Sequence, residues 1–247
     1  MKCRNFAHRG FSGEYPENTM LAFEKALEIG CEGIEFDVHF SKDHELVIIH
    51  DEQVDRTAAN GETGFVKDKT YEELCQIDFS YKFKGKYGFQ RIPTLREYCE
   101  LVKDKDIITN IELKTGWFEY EGIEKAVYDL VHEYGLEDRV IVSSFNHYSV
   151  MRMKELDPNI YCGFLADTWI LEPAPYVKKY GIEAYHPGNY MLNDAEVEGL
   201  KKEGVKINVW TVNEVDEILQ MIRWEVDGII SNYPNRVKEL LKATGLR

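Results

Sequence analysis

The chain has 247 residues, 44% of them hydrophobic, and carries a formal charge of -14 with an isoelectric point near 5.0. That length accommodates one α/β barrel or one to two smaller domains. The negative field argues against nucleic acid and against anionic membrane surfaces as partners, and an anionic substrate would need local positive charge or a metal ion.

In chain order, short β-branched apolar runs fall at 3–8, 33–38, 107–113, 139–144, 160–165, 182–186, 205–211 and 227–231. Helical patterns follow them at 19–29, 94–103, 121–134, 148–155, 173–180, 193–203, 214–224 and 234–243. Repeated βα units without a composition break predict a (β/α)8 TIM barrel; a doubly wound sheet is the alternative architecture. Thr94-Leu-Arg-Glu97 and Thr70-Tyr-Glu-Glu73 read as capping boxes, and Gly30, Gly135, Gly181 and Gly204 stand where helices end. One interval is too long: Asp37 to Glu112 spans 75 residues, against roughly 30 for a βα unit. The excess, at about 43–92, reads as a small insertion after the second barrel strand, on the C-terminal face, within a single catalytic domain of residues 1–247. It contains an aromatic-basic stretch (Phe79, Tyr81, Phe83, Lys84, Lys86, Tyr87, Phe89) that either widens the mouth or forms its own small core.

The chemistry-bearing residues stand at strand ends. Glu35 and Asp37 alternate with Ile34, Phe36 and Val38, so both carboxylates share the face turned away from the helices. Two acids inside a barrel repel unless a cation compensates. An oxygen-only donor set suits Mg²⁺ or Ca²⁺, while an Arg or Lys salt bridge is the other reading. Asn110-Ile-Glu112-Leu-Lys114 repeats the arrangement and adds a third acid with a cation beside it; a plain Glu112–Lys114 ion pair is the alternative. His8 and His50 also end apolar runs and suit proton transfer near neutral pH. Arg9 supplies a planar cation for phosphate or carboxylate, and Gly10 permits close approach. Trp210 either lines a pocket or belongs to the core. Among the other histidines, His186 could reach the pocket from the sixth strand, and His132 reads as a surface residue.

Dinucleotide, P-loop and nucleophile-elbow motifs do not occur. Five widely spaced cysteines (Cys3, Cys31, Cys75, Cys99, Cys162) read as reduced thiols. The opening Met1-Lys2-Cys3-Arg4-Asn5 enters strand-like sequence with no leader pattern, and no apolar run of about 18 residues occurs. The expectation is a cytoplasmic protein without stable membrane insertion; a homo-oligomer stays open.

Taken in order, His8-Arg9-Gly10, Pro16-Glu17-Asn18-Thr19, Glu35-Phe-Asp37-Val38, Leu46-Val-Ile-Ile-His50-Asp51, Asp55-Arg56-Thr57, Ile92-Pro93-Thr94-Leu95, Ile111-Glu112-Leu113-Lys114, Ser143-Ser144-Phe145, Trp210-Thr211-Val212-Asn213 and Asp227-Gly-Ile-Ile-Ser-Asn-Tyr-Pro234 resemble the glycerophosphodiester phosphodiesterase family. The resemblance implies a TIM barrel with a small insertion after the second strand. It also implies metal-dependent hydrolysis of glycerophosphodiesters to glycerol 3-phosphate and an alcohol. His8 and His50 match the acid/base pair, Glu35, Asp37 and Glu112 the ligands of one divalent ion (Mg²⁺ or Ca²⁺), and Arg9, Lys114 and Trp210 the substrate-binding positions. A related lysophospholipase D or phosphoinositide-type phosphodiesterase, and a non-catalytic barrel that only binds a phospho-ligand, are the competing readings.

Overall fold

The computed structural model describes residues 3–245; Met1 and Lys2, part of the segment read for a leader, lie outside them. The chain runs β1 (Arg4–His8), α1 (Met20–Ile29), β2 (Gly33–Phe40), β3 (Leu46–Ile48), α2 (Tyr71–Leu74), α3 (Leu95–Val102) and β4 (Ile108–Leu113). It continues with α4 (Ile123–Glu133), β5 (Val140–Ser144), α5 (His147–Leu156), β6 (Tyr161–Ala166), α6 (Pro173–Lys179), β7 (Ala184–Pro187), α7 (Asp194–Lys202), β8 (Lys206–Val209), α8 (Val215–Arg223), β9 (Gly228–Ser231) and α9 (Pro234–Ala243). Parallel ladders join β1, β2, β4, β5, β6, β7, β8 and β9 in that order, and β9 pairs back onto β1. The ring is closed, so the structure is the (β/α)8 barrel and not the doubly wound sheet.

Local chemistry sets the boundaries. The Thr19 hydroxyl accepts the Ala22 amide at the start of α1. Thr70 and Thr94 form the two capping boxes read from the sequence, satisfying amides that a helix start leaves free. Helix α2 is a single turn. The run around Glu45–Ile49 supplies β3, which pairs antiparallel with the end of β2 (Val38 opposite Ile48, Phe40 opposite Leu46) and stays outside the ring. Around it, Val47, Ile49, Val54, Ala58, Val66, Leu74, Ile77, Phe79 and Ile92 form a separate small core. Phe79 is therefore packed inside this segment, whereas Tyr81 and Phe89 are exposed.

The main core lies between strands and helices. Ile34, Phe36 and Val38 face it, as side-chain alternation requires, and Phe36 packs with Phe23 and Tyr98 at ring-centroid distances of 5.5 and 4.4 Å. Burying each such ring contributes about 1.5–3 kcal/mol. Inside the barrel, Phe6, Ile141 and Ile230 fill the floor, with Trp210 against them. Above that floor the interior turns polar. His186 is fully buried and its Nε2 meets the Asn208 amide at 2.9 Å. It takes the space over Gly163, where an added Cβ would lie 2.4 Å from its ring. His186 is thus a barrel-interior residue; contrary to expectation it does not line the cleft, because Asn208 and Gly163 hold it lower in the barrel.

Candidate active site

Strand register brings the acids together. His8 lies opposite Glu35 on β1 and β2, and Asp37 lies opposite Glu112 on β2 and β4. All four residues are buried. Glu35, Asp37 and Glu112 each offer an oxygen within 4.8 Å of the others, and among the described residues theirs is the only such group. Burial, then the charges of Asp37 and Glu112, pushes the Glu35 carboxyl well above its ordinary range. Burial also raises Glu112, with Lys114 working against it. Asp37 goes the other way: burial is outweighed by His50, Arg9 and Lys114 and by the Asn18 amide at 2.9 Å. The second oxygen of Asp37, Oδ1, is buried without a hydrogen-bond partner.

Two cations face this cluster. Lys114 lies 2.8 Å from Glu112 and 3.8 Å from Asp37, and Arg9 Nε lies 3.5 Å from Asp37. The ion pairs read as alternatives from the sequence therefore exist, yet neither cation pairs with Glu35, whose carboxylate meets only the Arg9 backbone amide at 3.2 Å and His8 Nε2 at 3.7 Å among the described residues. Two cations against three carboxylates leave a deficit that a hard, oxygen-loving ion fits. Arg9 reaches over the cluster because the chain turns sharply there. Its φ is +56°, with its amide bonded to the Glu35 carbonyl at 2.7 Å and its own carbonyl accepting the Asn18 amide at 3.0 Å. Gly10 continues the left-handed turn at φ +75°, 2.7 Å from Ala22 backbone for any added Cβ, so no larger residue fits.

The two histidines have different partners. His8 Nδ1 meets Asn232 Oδ1 at 2.6 Å, which places the proton on Nδ1 and leaves Nε2 with a lone pair. Burial and the nearby Arg9 push His8 down to about 3, so the ring is neutral. His50 Nδ1 meets the Asp51 carboxylate at 2.5 Å, and its Nε2 lies 3.4 Å from Lys114 Nζ. Arg56 bonds Asp51 through Nε at 2.6 Å and Glu17 through both terminal nitrogens at 2.9 and 2.7 Å. Glu17 also takes Arg9 at 2.9 Å. One chain of ion pairs thus runs from Arg9 through Glu17, Arg56 and Asp51 to His50. It holds Asp51 below the usual carboxylate range, with His50 and Arg56 outweighing burial. His39 Nε2 adds a hydrogen bond to the His50 carbonyl at 3.2 Å.

The cleft over the cluster has an empty volume of about 490 Å³, its mouth included, and is lined by His8, Arg9, Glu35, His50, Asn110, Glu112, Phe145, Leu165, Asp167, Trp210 and Ile230. Every residue singled out from the sequence for chemistry faces this cleft or touches one that does. Trp210 fits both of its readings: it lines the cleft, stands 5.4 Å from Phe145, donates Nε1–H to the His186 carbonyl at 2.8 Å, and packs on the barrel floor. His132 is exposed. Residue-type reasoning gave no role to Glu17, Asp51, Arg56, Asn232 or Asp167. The first four stand in quoted motifs, but which charge meets which among Glu17, Asp51 and Arg56 depends on the path of the 43–92 segment.

Comparison with known proteins agrees with this geometry. The description of the glycerophosphoryl diester phosphodiesterase family matches residues 8–236. A glycerophosphodiester phosphodiesterase of Caldanaerobacter subterraneus subsp. tengcongensis is 45% identical over 99% of this chain and 100% of its own length. One from Bacillus altitudinis is 41% identical over 95% of this chain and 96% of its own. The structure of an Oleispira antarctica phosphodiesterase in complex with its product sn-glycerol-3-phosphate superposes with a TM-score of 0.86, at 26% identity, over 98% of this chain and 97% of that one. With strand ends, acids and histidines in one cleft and the match running almost from end to end, the chain belongs to the glycerophosphoryl diester phosphodiesterase family.

Proposed function

We propose that the protein hydrolyses glycerophosphodiesters to glycerol 3-phosphate and an alcohol, as one barrel domain in which the 43–92 segment supplies one wall of the active site. The observation that carries this reading is the meeting of two differently partnered imidazoles with three buried acids and two cations in one cleft.

Glu35, Asp37 and Glu112 are the residues that would hold one divalent ion, Mg²⁺ or Ca²⁺; the orphaned Asp37 Oδ1 and the raised Glu35 fit it. When bound, that ion offsets the acids and polarises the phosphoryl oxygens. Arg9 and Lys114 orient the phosphodiester and neutralise its charge. His8, neutral with a free Nε2, takes the proton from the attacking hydroxyl, whether of water or of the glycerol itself. His50, its Nδ1 held by the Asp51 carboxylate and its Nε2 turned to the cleft beside Lys114, gives a proton to the departing alkoxide. Each proton transfer contributes about 10²–10⁴-fold.

Among the described residues no helix is long and apolar enough to cross a membrane, and no cysteine is paired. These facts support placing the reaction in the cytoplasm on small soluble diesters. The test is release of glycerol 3-phosphate from glycerophosphodiesters with Mg²⁺ or Ca²⁺. Tight diester binding without release would support the phospho-ligand-binding alternative instead.

A further inference from the structure

The cleft is chemically two-sided. Around the ring the strands run β1, β2, β4, β5, β6, so β6 stands opposite β1. On the β1–β2–β4 side lie Arg9, the acids and the histidines. On the β6 side, the loop that follows Ala166 brings Asp167 into the lining of the same cleft that Leu165, Phe145 and Trp210 line. Asp167 is exposed and, among the described residues, makes no hydrogen bond and no ion pair. The two basic side chains at the cleft cannot serve it: Arg9 is engaged by Glu17 and Asp37, and Lys114 by Glu112 and Asp37.

A cleft that holds a carboxylate without a counter-ion and two aromatic rings in its lining is a poor host for a neutral polyol and a good one for a cation. The acid supplies long-range attraction, and the ring faces of Phe145 and Trp210 favour a soft, weakly hydrated ammonium. The Phe145 ring already has one cation near it, Lys114 Nζ at 5.9 Å. A formal charge of -14 adds to the pull on any cationic group approaching the mouth. A phosphodiester held at Arg9, on the β1 side, would have the β6 wall across the cleft for one of its two alcohol arms.

We infer that Asp167, with Phe145 and Trp210, forms a subsite for a cationic alcohol, so that the preferred diesters carry an amino or quaternary ammonium head group. This rests on the glycerophosphodiester reading and goes beyond it by naming the alcohol class and the residue that selects it.

The experiment compares glycerophosphocholine with its uncharged isostere, the 3,3-dimethylbutyl ester of glycerol 3-phosphate, for the metal-loaded protein and for Asp167→Asn and Asp167→Lys. Melting temperatures serve as the check of folding. The two esters match in shape and differ in one charge. The kcat/KM ratio of choline to dimethylbutyl ester is expected to be about 10 in the parent protein, the effect of one partly solvated charge pair. It should fall toward 1 in D167N and below 1 in D167K. A ratio that D167N leaves unchanged overturns the inference. So does an equal loss on both esters, which would make Asp167 a partner of the common glycerophosphate part. Turnover of neither ester, nor of any other glycerophosphodiester, overturns the functional reading itself and this inference with it.

Discussion

His8 and His50 face the same cleft with unlike partners behind them: an amide oxygen of Asn232 at 2.6 Å for the first and the Asp51 carboxylate at 2.5 Å for the second. Two chemically identical rings are thereby anchored by different groups. Burial and Arg9 keep His8 neutral, the Asn232 amide oxygen fixes its proton on Nδ1 and leaves Nε2 open, and the Asp51 carboxylate anchors His50 through Nδ1. Separating a base from an acid by environment alone is how one pH serves both halves of a displacement.

The ion-pair chain behind His50 gives the first prediction. Arg56→Gln removes the guanidinium that fixes Asp51 and bridges to Glu17. It should lower kcat by about 10- to 100-fold, the scale of losing an outer partner that orients a functional side chain. Arg56 makes no direct approach to the acid cluster, so KM should move much less. A drop in KM-linked affinity with kcat retained would place Arg56 in substrate binding instead.

Metal binding should register in stability. An ion that binds only the folded acids at 100 times its Kd adds about 2.7 kcal/mol, which for a chain of this size raises Tm by roughly 5–10 °C. The rise should appear on adding Mg²⁺ or Ca²⁺ to protein stripped with EDTA, and vanish in a Glu35→Gln/Glu112→Gln variant. Stripping should also abolish turnover. Equal melting temperatures with and without either ion would contradict the assigned ligands.

Acid should destabilise the fold earlier than carboxylate titration alone requires. Burial pushes His39 down to about 4 and His186 to about 3 from an ordinary 6.5. The unfolded chain therefore takes up these protons first. Stability is fully present above about pH 6.5 and is lost as pH falls toward 4, at about 1.4 kcal/mol per pH unit for each ring. In urea titrations under EDTA, His186→Gln should reduce the slope between pH 6 and 4.5 by close to one proton. An unchanged slope would show that His186 is not held neutral.

Packing inside the barrel supplies a control remote from the chemistry. An added Cβ at Gly163 would fall 2.4 Å from His186 Nε2. Gly163→Ala should therefore cost about 1–3 kcal/mol, the price of forcing an extra methyl into a filled core. Thermal or urea unfolding measures it. A variant as stable as the parent would mean that His186 has room to retreat.

The barrel was readable because alternation and helix caps are local. Ile34, Phe36 and Val38 announce the helix-facing side, and Thr94 with Glu97 announces a helix start, before any tertiary contact is known. The acids were readable for the same reason, since residues i and i+2 of a strand share a face. What local pattern could not supply was the partner of each charge. Asp51 beside His50 is visible in sequence, but its hold by Arg56, and the sharing of Glu17 between Arg56 and Arg9, arise only once the 43–92 segment packs against the loop after β1. Asn232 is 224 residues from His8 and meets it only because β9 closes on β1. His186 shows the opposite limit: a strand-end position alone did not reveal that Asn208 holds it beneath the cleft.

The most direct test of the split between the two histidines varies the leaving group. His8→Ala and His50→Ala are assayed, metal-loaded, for glycerol 3-phosphate release from glycerophosphocholine and from the p-nitrophenyl ester of glycerol 3-phosphate, whose phenolate departs without a proton. His50→Ala should lose about 10²–10⁴-fold on the choline ester and recover to within about 10-fold of the parent on the nitrophenyl ester. His8→Ala should be impaired on both. Recovery in His8→Ala rather than His50→Ala, or full activity of either variant on the choline ester, would contradict the account.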